Sequence, residues 1–461
     1  MTPLNRFLWV LFSVLLVYIL CLSFYKGFTH DEFESIHAAW KIHSGEVIYS
    51  DFFEHHNPFF YYILVPLIGI FKANVSVLIA ARFLVFLMLL SMFFVIYNMA
   101  RSLFGNRPAI FSLILLTTTP LFIFKSIEIR PDVPETLLGL LAVSLLLSYF
   151  QNKRSKYLIL SSMFLGLSFL FLQKALFLGF AIGGGMLLGV YLKQIRFIDI
   201  LVYLIAFMAV LMPYYLYLFF NGQLHAYWMF NWSLNVACMR FGDAESKTLM
   251  TVLISSFRSN FILWTSCLIS LFFLDTPDKK ILASISLLLL IILIIMQVNN
   301  TQYFMPLMPL IAIMAGYGVS KVSFLFPRNG SFIIWPVVII CILFPSYSYL
   351  TAIKVSSKIE KLKKIEYVLS ITKPWDIVLD GNIRFNLFRK DLDYIWFSRR
   401  DDHMLLWFKG KEFYHYDVFE LIDKFKPKVI SQYRIRNMND QKIMNNYRRS
   451  TVYSDLFIRI N

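Results

Sequence analysis

Leu8-Trp-Val-Leu-Phe-Ser-Val-Leu-Leu-Val-Tyr-Ile-Leu-Cys-Leu-Ser-Phe24 contains no Asp, Glu, Lys, Arg or His. A hydrocarbon core is crossed by about 20 apolar helical residues, with a range of about 17–25. The run is therefore read as a spanning helix. Arg6 precedes it, but the core is long for a cleaved signal peptide and no small-residue cleavage site follows, so it is kept as the first span. Similar runs recur along the chain. The expected spans are 7–25, 75–98, 108–124, 133–150, 157–172, 175–192, 197–220, 251–273, 281–296, 302–320 and 331–350. Among the 461 residues 58% are hydrophobic and 16% charged. A soluble domain is about half apolar and a quarter charged, and its core could not hide so many long apolar runs. The 47 Phe and 25 Tyr suit lipid-facing and interfacial surface. The expected fold class is an all-α polytopic membrane protein of about eleven spanning helices, ending in a small soluble α/β domain.

Charge sets the expected orientation. Five brief connectors carry Arg101 and Arg107; Lys153, Arg154 and Lys156; Lys193 and Arg196; Lys279 and Lys280; and Lys321 and Arg328. With Arg6 these are the basic short loops that face the cytoplasm. The N-terminus is then inside, and an odd number of spans leaves the C-terminal part outside. The outward connectors differ in kind. Residues 26–74 are long and rich in Asp, Glu and His, 125–132 are short and charged, and 221–250 carry Trp228, Trp232 and Arg240. A fourth, Gln297–Tyr303, is poor in charge. Inward loops read as topology signals, and the unusual chemistry lies outward.

From residue 351 the character changes, which divides the chain into a membrane domain, 1–350, and a C-terminal domain, 351–461. The net charge is +16, and the tail's 22 Lys and Arg against 14 Asp and Glu contribute +8. Such a tail suits anionic headgroups or an ordinary solvated surface. No motif supports nucleic acid. Lys354–Lys364 reads as a basic amphipathic helix, 375–380, 427–432 and 456–460 as strands, and Val418–Phe425 as a helix. The four Cys, three in apolar runs and Cys238 in a loop, form no disulfide or zinc pattern.

Four outward stretches carry candidate chemistry, and each has a plain structural reading beside it. Thr29-His-Asp-Glu32 is a capping box, and Phe33, Ile36, His37 and Trp40 follow on one face, as in a helix lying on the membrane. The cap leaves Asp31 over, a carboxylate at the interface suited to a general base. In Ile129-Arg-Pro-Asp-Val-Pro-Glu135, Asp132 is either an N-cap or a second acid beside Arg130 and Lys125. Asp51-Phe-Phe-Glu-His-His-Asn-Pro58 offers Glu54, His55 and His56 for a phosphate or a metal, although adjacent His side chains rarely share one ion. Pro58–Phe71 is short for a span and reads as a re-entrant or interfacial helix. Asn299–Pro309, with Gln302 and Tyr303, enters a span through two prolines, as a broken helix end or a simple kink.

Taken in order, these stretches resemble the GT-C glycosyltransferases that use polyprenyl-phosphate sugars, in particular the protein O-mannosyltransferases and the lipid A aminoarabinose transferases. The resemblance rests on Asp31-Glu32, Gly45–Asp51, Glu54-His-His-Asn-Pro58, Ala80-Ala-Arg82, Leu103-Phe-Gly105, Arg130-Pro-Asp132, and Gln302–Pro306 with Pro309. It implies that Asp31 activates the acceptor and that Asp132 is the second acid. It further implies an inverting attack that expels a lipid phosphate. Lys125, Arg130, His56 and Arg240 are candidates to meet that phosphate, and Glu32, His55, Gln302 and Tyr303 to line the substrate site. The lipid A transferases carry a Lys before the proline pair of the first loop, whereas His55-His56-Asn57 precede a single Pro58 here. No metal ligand set is assigned, and a divalent cation remains an open option at Glu54. The expected partners are a polyprenyl-phosphate sugar, membrane lipids and an unnamed acceptor. The expected location is a bacterial inner membrane, with the site facing out. The competing reading is a transporter or flippase, which would hold polar groups near the bilayer midplane. Here most charge sits at the outer edge, with Arg82 the main exception. A scaffold using its basic tail is a third reading.

Overall fold

The computed structural model describes residues 3–240, 249–296, 300–325, 348–353, 355–380, 385–396, 418–432 and 445–460. The protein is mostly helical. In chain order the helices are α1 Pro3–Tyr25, α2 His30–His43, α3 Phe59–Phe71, α4 Ser76–Phe104, α5 Asn106–Thr117, α6 Pro120–Ser126, α7 Asp132–Asn152, α8 Ser155–Phe171 and α9 Ala175–Tyr191. They continue with α10 Phe197–Phe220, α11 Leu224–Trp228, α12 Asn235–Arg240, α13 Leu249–Ser259, α14 Phe261–Ser270, α15 Pro277–Ile295, α16 Leu307–Leu325, α17 Val355–Ile371 and α18 Val418–Phe425. A helix or a bent pair of helices stands at each of the first ten expected spans; the eleventh lies almost wholly outside the described residues. Among the described residues four helices, α1, α4, α7 and α10, are long and apolar enough to cross a membrane alone, and two bent pairs raise this to six. The protein is an integral membrane protein.

Two compact units emerge. The first comprises residues 1–25, 82–216 and 245–353; the second comprises 26–81, 217–244 and 354–461. In the first unit α7 packs on α8, α9 on α15, and α16 on both α5 and α14. Small residues make the last contacts close. A Cβ on Gly316 would strike Pro108 and Ser112 of α5, and one on Gly318 would strike the backbone of Ser266 in α14. Close approach of this kind is how helices associate where no hydrophobic force separates protein from lipid. Arg82, which with Arg258 is one of two strong bases inside the expected spans, is buried and donates to the Ser23 carbonyl of α1 at 2.8 Å.

Two expected spans are broken rather than straight. The run 108–124 is α5 and α6 meeting at 76°, and 251–273 is α13 and α14 meeting at 93°. The cause is polar residues set inside apolar runs. The hydroxyls of Thr117, Thr118 and Thr119 turn back to the carbonyls of Ile114 and Leu115. Asn260 caps α14 by accepting from the Leu263 N–H at 3.1 Å.

The second unit joins the first outer loop, the 217–240 segment and the tail. Its sheet runs β1 (Val378–Leu379), β2 (Val429–Ser431), β4 (Leu456–Arg459), β3 (Tyr447–Arg449). β1 and β2 are parallel; the other pairs are antiparallel. Leu379, Ile422, Ile430, Tyr447 and Phe457 form its core. β3 had no sequence signal, because Tyr447-Arg-Arg449 buries only its Tyr. α17 extends the expected basic helix, and its Lys361 donates to the Phe28 carbonyl at 2.7 Å. α3 is the short helix expected after Pro58, with Phe60, Tyr61, Leu64 and Ile68 buried.

Candidate functional site

In the second unit the site begins at the turn into α2. Thr29 and Glu32 form the capping box expected of them; the Thr29 N–H donates to the Glu32 carboxylate at 2.8 Å. Glu32 is therefore buried and committed to the helix start. Asp31 is half-buried in the first turn, and its carbonyl accepts from the Ser35 hydroxyl at 2.9 Å. α2 does not keep one face free of protein, as its spacing suggested. Phe33, Ser35, Ile36, His37, Ala38, Ala39 and Lys41 are all buried, because α3 covers one side and tail residues meet His37 and Lys41. Asp391 accepts from His37 Nε2 at 2.8 Å, Lys41 Nζ at 2.8 Å and the Asn386 amide at 2.7 Å.

The 51–58 loop is held from several directions. Tyr49 donates to the His56 carbonyl at 2.7 Å, Asn235 to the His55 carbonyl at 2.9 Å, and Trp396 to the Phe53 carbonyl at 2.7 Å. This anchorage turns Glu54 inward. Its Oε1 accepts the backbone N–H groups of His55 at 2.9 Å and His56 at 3.2 Å, while its buried Oε2 has no hydrogen-bond partner among the described residues. The His55 and His56 rings lie 3.9 Å apart between centroids. Donor atoms of Glu54, His55 and His56 fall within 4.8 Å of one another, a set with the composition of a divalent-metal site. Glu34 of α2 is near them. Burial pushes its carboxyl well above the usual range, and the Glu54 charge pushes it further.

In the first unit the expected residues 125–132 form a buried ionic chain. Lys125 bonds Glu128 at 3.0 Å, and Arg130 lies 3.8 Å from Glu128 and 3.0 Å from Asp132. The other Asp132 oxygen pairs with Lys174. Lys174 also donates to the Gln302 carbonyl at 3.2 Å and sits 4.8 Å over the Tyr303 ring. Asp132 is thus no N-cap, since its carboxylate serves two cations instead of the helix N–H groups. Glu135 does not complete a capping box either; it accepts from the Thr136 hydroxyl at 3.2 Å. Gln302 and Tyr303 stand in a separate 3-10 turn, Thr301–Phe304, before α16, which is the broken helix end and not a kink. Lys174 was not singled out from the sequence. Its signal was its position as the lone base in the two-residue turn between the expected spans 157–172 and 175–192. The Arg240 side chain lies outside the described residues.

This arrangement can be set against known proteins. Residues 55–217 match the family described as dolichyl-phosphate-mannose-protein mannosyltransferase. Comparison with curated protein sequences finds no match. ArnT from Cupriavidus metallidurans, solved with undecaprenyl phosphate, is similar over 87% of this chain and 88% of its own, at 12% identity and a TM-score of 0.63. The Archaeoglobus fulgidus oligosaccharyltransferase solved with Zn and sulfate is similar over 82% of this chain and 61% of its own, at 14% identity and a TM-score of 0.56. The oligosaccharyltransferase AglB of that organism, solved with an inhibitory peptide and a dolichol-phosphate, covers 97% of this chain and 74% of its own, at 11% identity and 0.54. The chain has the GT-C fold. Of the expected site residues, the GT-C chain brings Lys125, Arg130, Asp132, Gln302 and Tyr303 together in one unit, with Lys174 as the missing link. Asp31, Glu32, His55 and His56 belong to the other unit, with Glu34 and Glu54 the additional acids.

Proposed function

We propose that this protein transfers a sugar from a polyprenyl phosphate to an acceptor hydroxyl on the extracytoplasmic face of a bacterial inner membrane. The observation that carries the reading is the ionic chain from Lys125 to Lys174, built at neighbouring helix ends in a GT-C fold. Asp31 takes the proton as the acceptor oxygen attacks the anomeric carbon. The bond from that carbon to the phosphate oxygen breaks, its electron pair leaves with the phosphate, and configuration inverts. A general base in this role contributes about 10²–10⁴-fold. Asp132, ion-paired to Arg130 and Lys174, is a poor proton acceptor; it holds the two cations in place. Arg130, Lys174 and Lys125 then meet the charge that develops on the departing phosphate. Glu54, His55 and His56 would hold a divalent cation if one binds, which would supply Lewis-acid chemistry there, and the open Glu54 Oε2 fits such a ligand role.

The test is to incubate purified protein with a panel of polyprenyl-phosphate sugars and measure the release of polyprenyl phosphate. One donor is expected to turn over. Asp31→Asn is expected to insert normally and to lose about 10²-fold or more of the rate. Full activity in that variant would remove Asp31 from the mechanism, and an untouched panel would remove the reaction.

A further inference from the structure

Within the first unit, the ends of α4, α5, α14, α15 and α16 surround a cavity of about 460 Å³. It belongs to the opposite helix ends from the ionic chain, where the short connectors carry Arg101, Arg107, Lys279, Lys280 and Lys321. Phe104 and Tyr317 stack in its wall at 4.3 Å and 26°. Tyr317 is fixed by a hydrogen bond from its hydroxyl to the Phe273 carbonyl, 3.0 Å. Lys279 lies 5.1 Å over Tyr317 and 5.6 Å over Phe104, and pairs with Asp275 at 2.6 Å. Lys321 lies 5.4 Å over Tyr317 and 5.7 Å over Phe273. Unlike Lys279, it makes no direct ion pair or hydrogen bond among the described residues, and the two ammonium groups share the charge of the single Asp275 carboxylate.

A ring face offers an ammonium only part of what an anion offers. One cation is therefore left to be matched by one negative charge, beside the apolar walls of Leu103, Phe104, Pro108 and Phe273. We infer that this cavity binds the phosphodiester headgroup of an anionic phospholipid in the cytoplasmic leaflet. A single negative charge matches Lys321, and the apolar walls take the glycerol and first acyl carbons. Basic pockets between spans on this side are the usual receptors for anionic headgroups. A zwitterionic lipid would bring its own ammonium toward two lysines and bind less well. The inference stands apart from the transfer reaction.

The full-length protein, stripped of lipid in neutral detergent, is offered phosphatidylglycerol or phosphatidylcholine, and retained lipid is read by native mass spectrometry. Phosphatidylglycerol is expected to be retained in preference. Lys321→Gln should weaken retention about five-fold, since a lysine near an anionic headgroup contributes about 1 kcal/mol. Lys321→Arg should keep it. Leu103→Trp, which fills the cavity and spares both ammonium groups, should lose it as well. Lys280→Gln, next to Lys279 but outside the cavity, should leave retention unchanged. Equal retention of the two lipids would overturn the inference. So would unchanged retention in both Lys321→Gln and Leu103→Trp, or an equal loss in Lys280→Gln. Displacement of the lipid by excess inorganic phosphate would overturn the lipid assignment in favour of a free anion.

Discussion

His37 has no exposure to solvent, and both of its ring nitrogens face acceptors: the Leu387 carbonyl at 2.9 Å from Nδ1 and the Asp391 carboxylate at 2.8 Å from Nε2. The ring is held in one orientation between these two partners. Burial alone would raise the Asp391 carboxyl, but His37 and Lys41 hold it below the usual carboxylate range. For Lys41 burial works the other way, and Asp391 and Glu46 still raise it. Removing one member of such a buried cluster costs about 3–5 kcal/mol, because its partners stay buried and charged. Asp391→Asn is therefore expected to lower the thermal unfolding temperature in detergent by several degrees. The pH dependence has a definite sign. A carboxyl lowered by folding stabilises above its unfolded value, about 3.9, and that stability is lost as pH falls through the lowered folded value. Wild-type protein should lose stability below about pH 4, and Asp391→Asn should flatten that part of the profile. None of this was legible in the sequence. Thr29 and Glu32 lie three residues apart and could be read as a pair, whereas His37 and Asp391 are 354 apart and share no periodicity.

Elements were legible where apolar length decides them and illegible where a single polar side chain does. The runs at 108–124 and 251–273 looked continuous because Thr, Ser and Asn occur inside spans without breaking hydropathy. In the structure one residue serves both breaks. Asn260 caps α14 through its Oδ1, and its amide donates to the Thr119 hydroxyl at 2.8 Å and the Leu115 carbonyl at 3.1 Å, beside the break between α5 and α6. Asn260→Ala leaves the buried Leu263 N–H at the start of α14 without its acceptor, at a cost of about 1–3 kcal/mol. Asn260→Asp keeps the cap and loses the amide donor, so it should fall between Ala and wild type. Thermal unfolding of the three proteins in one detergent is the measurement, and equal midpoints for Ala and wild type would mean that the bends are set elsewhere. The close approach of α16 gives a companion expectation. Gly316→Leu has no room against Pro108 and Ser112, and overpacking of this sort costs about 1–3 kcal/mol. The proline pair at 306 and 309 announced the broken start of α16, but the glycines behind it became meaningful only with α5 and α14 in place.

At the scale of the whole molecule, the change of composition at residue 351 marks where the spans end, but not what the tail does. The tail shares a compact unit with the first outer loop and the 217–240 segment. Trp396 Nε1 donates to the Phe53 carbonyl, the Phe53 N–H donates to the Tyr394 carbonyl at 3.0 Å, and the Tyr394 hydroxyl donates to the Tyr49 carbonyl at 2.8 Å. Trp396 is also buried against His37 and Phe52. These bonds fix the loop that turns Glu54 inward, so the tail positions chemistry that it does not itself carry. Sequence reading separated the two because hydrogen bonds between carbonyls and side chains hundreds of residues apart leave no local signature. The consequence can be measured without touching a site residue. Trp396→Ala removes the donor to Phe53 and a large buried ring, a loss of about 3–5 kcal/mol confined to this unit. Limited proteolysis should then cut the 44–58 stretch, which is expected to resist cleavage in the wild-type protein, while cleavage in the first unit stays unchanged. Sugar transfer should fall together with that protection, and Trp396→Phe, which keeps most of the ring, should recover part of both. If Trp396→Ala keeps the wild-type cleavage pattern, the loop is ordered without the tail. The tail would then have to act on the acceptor directly or not at all.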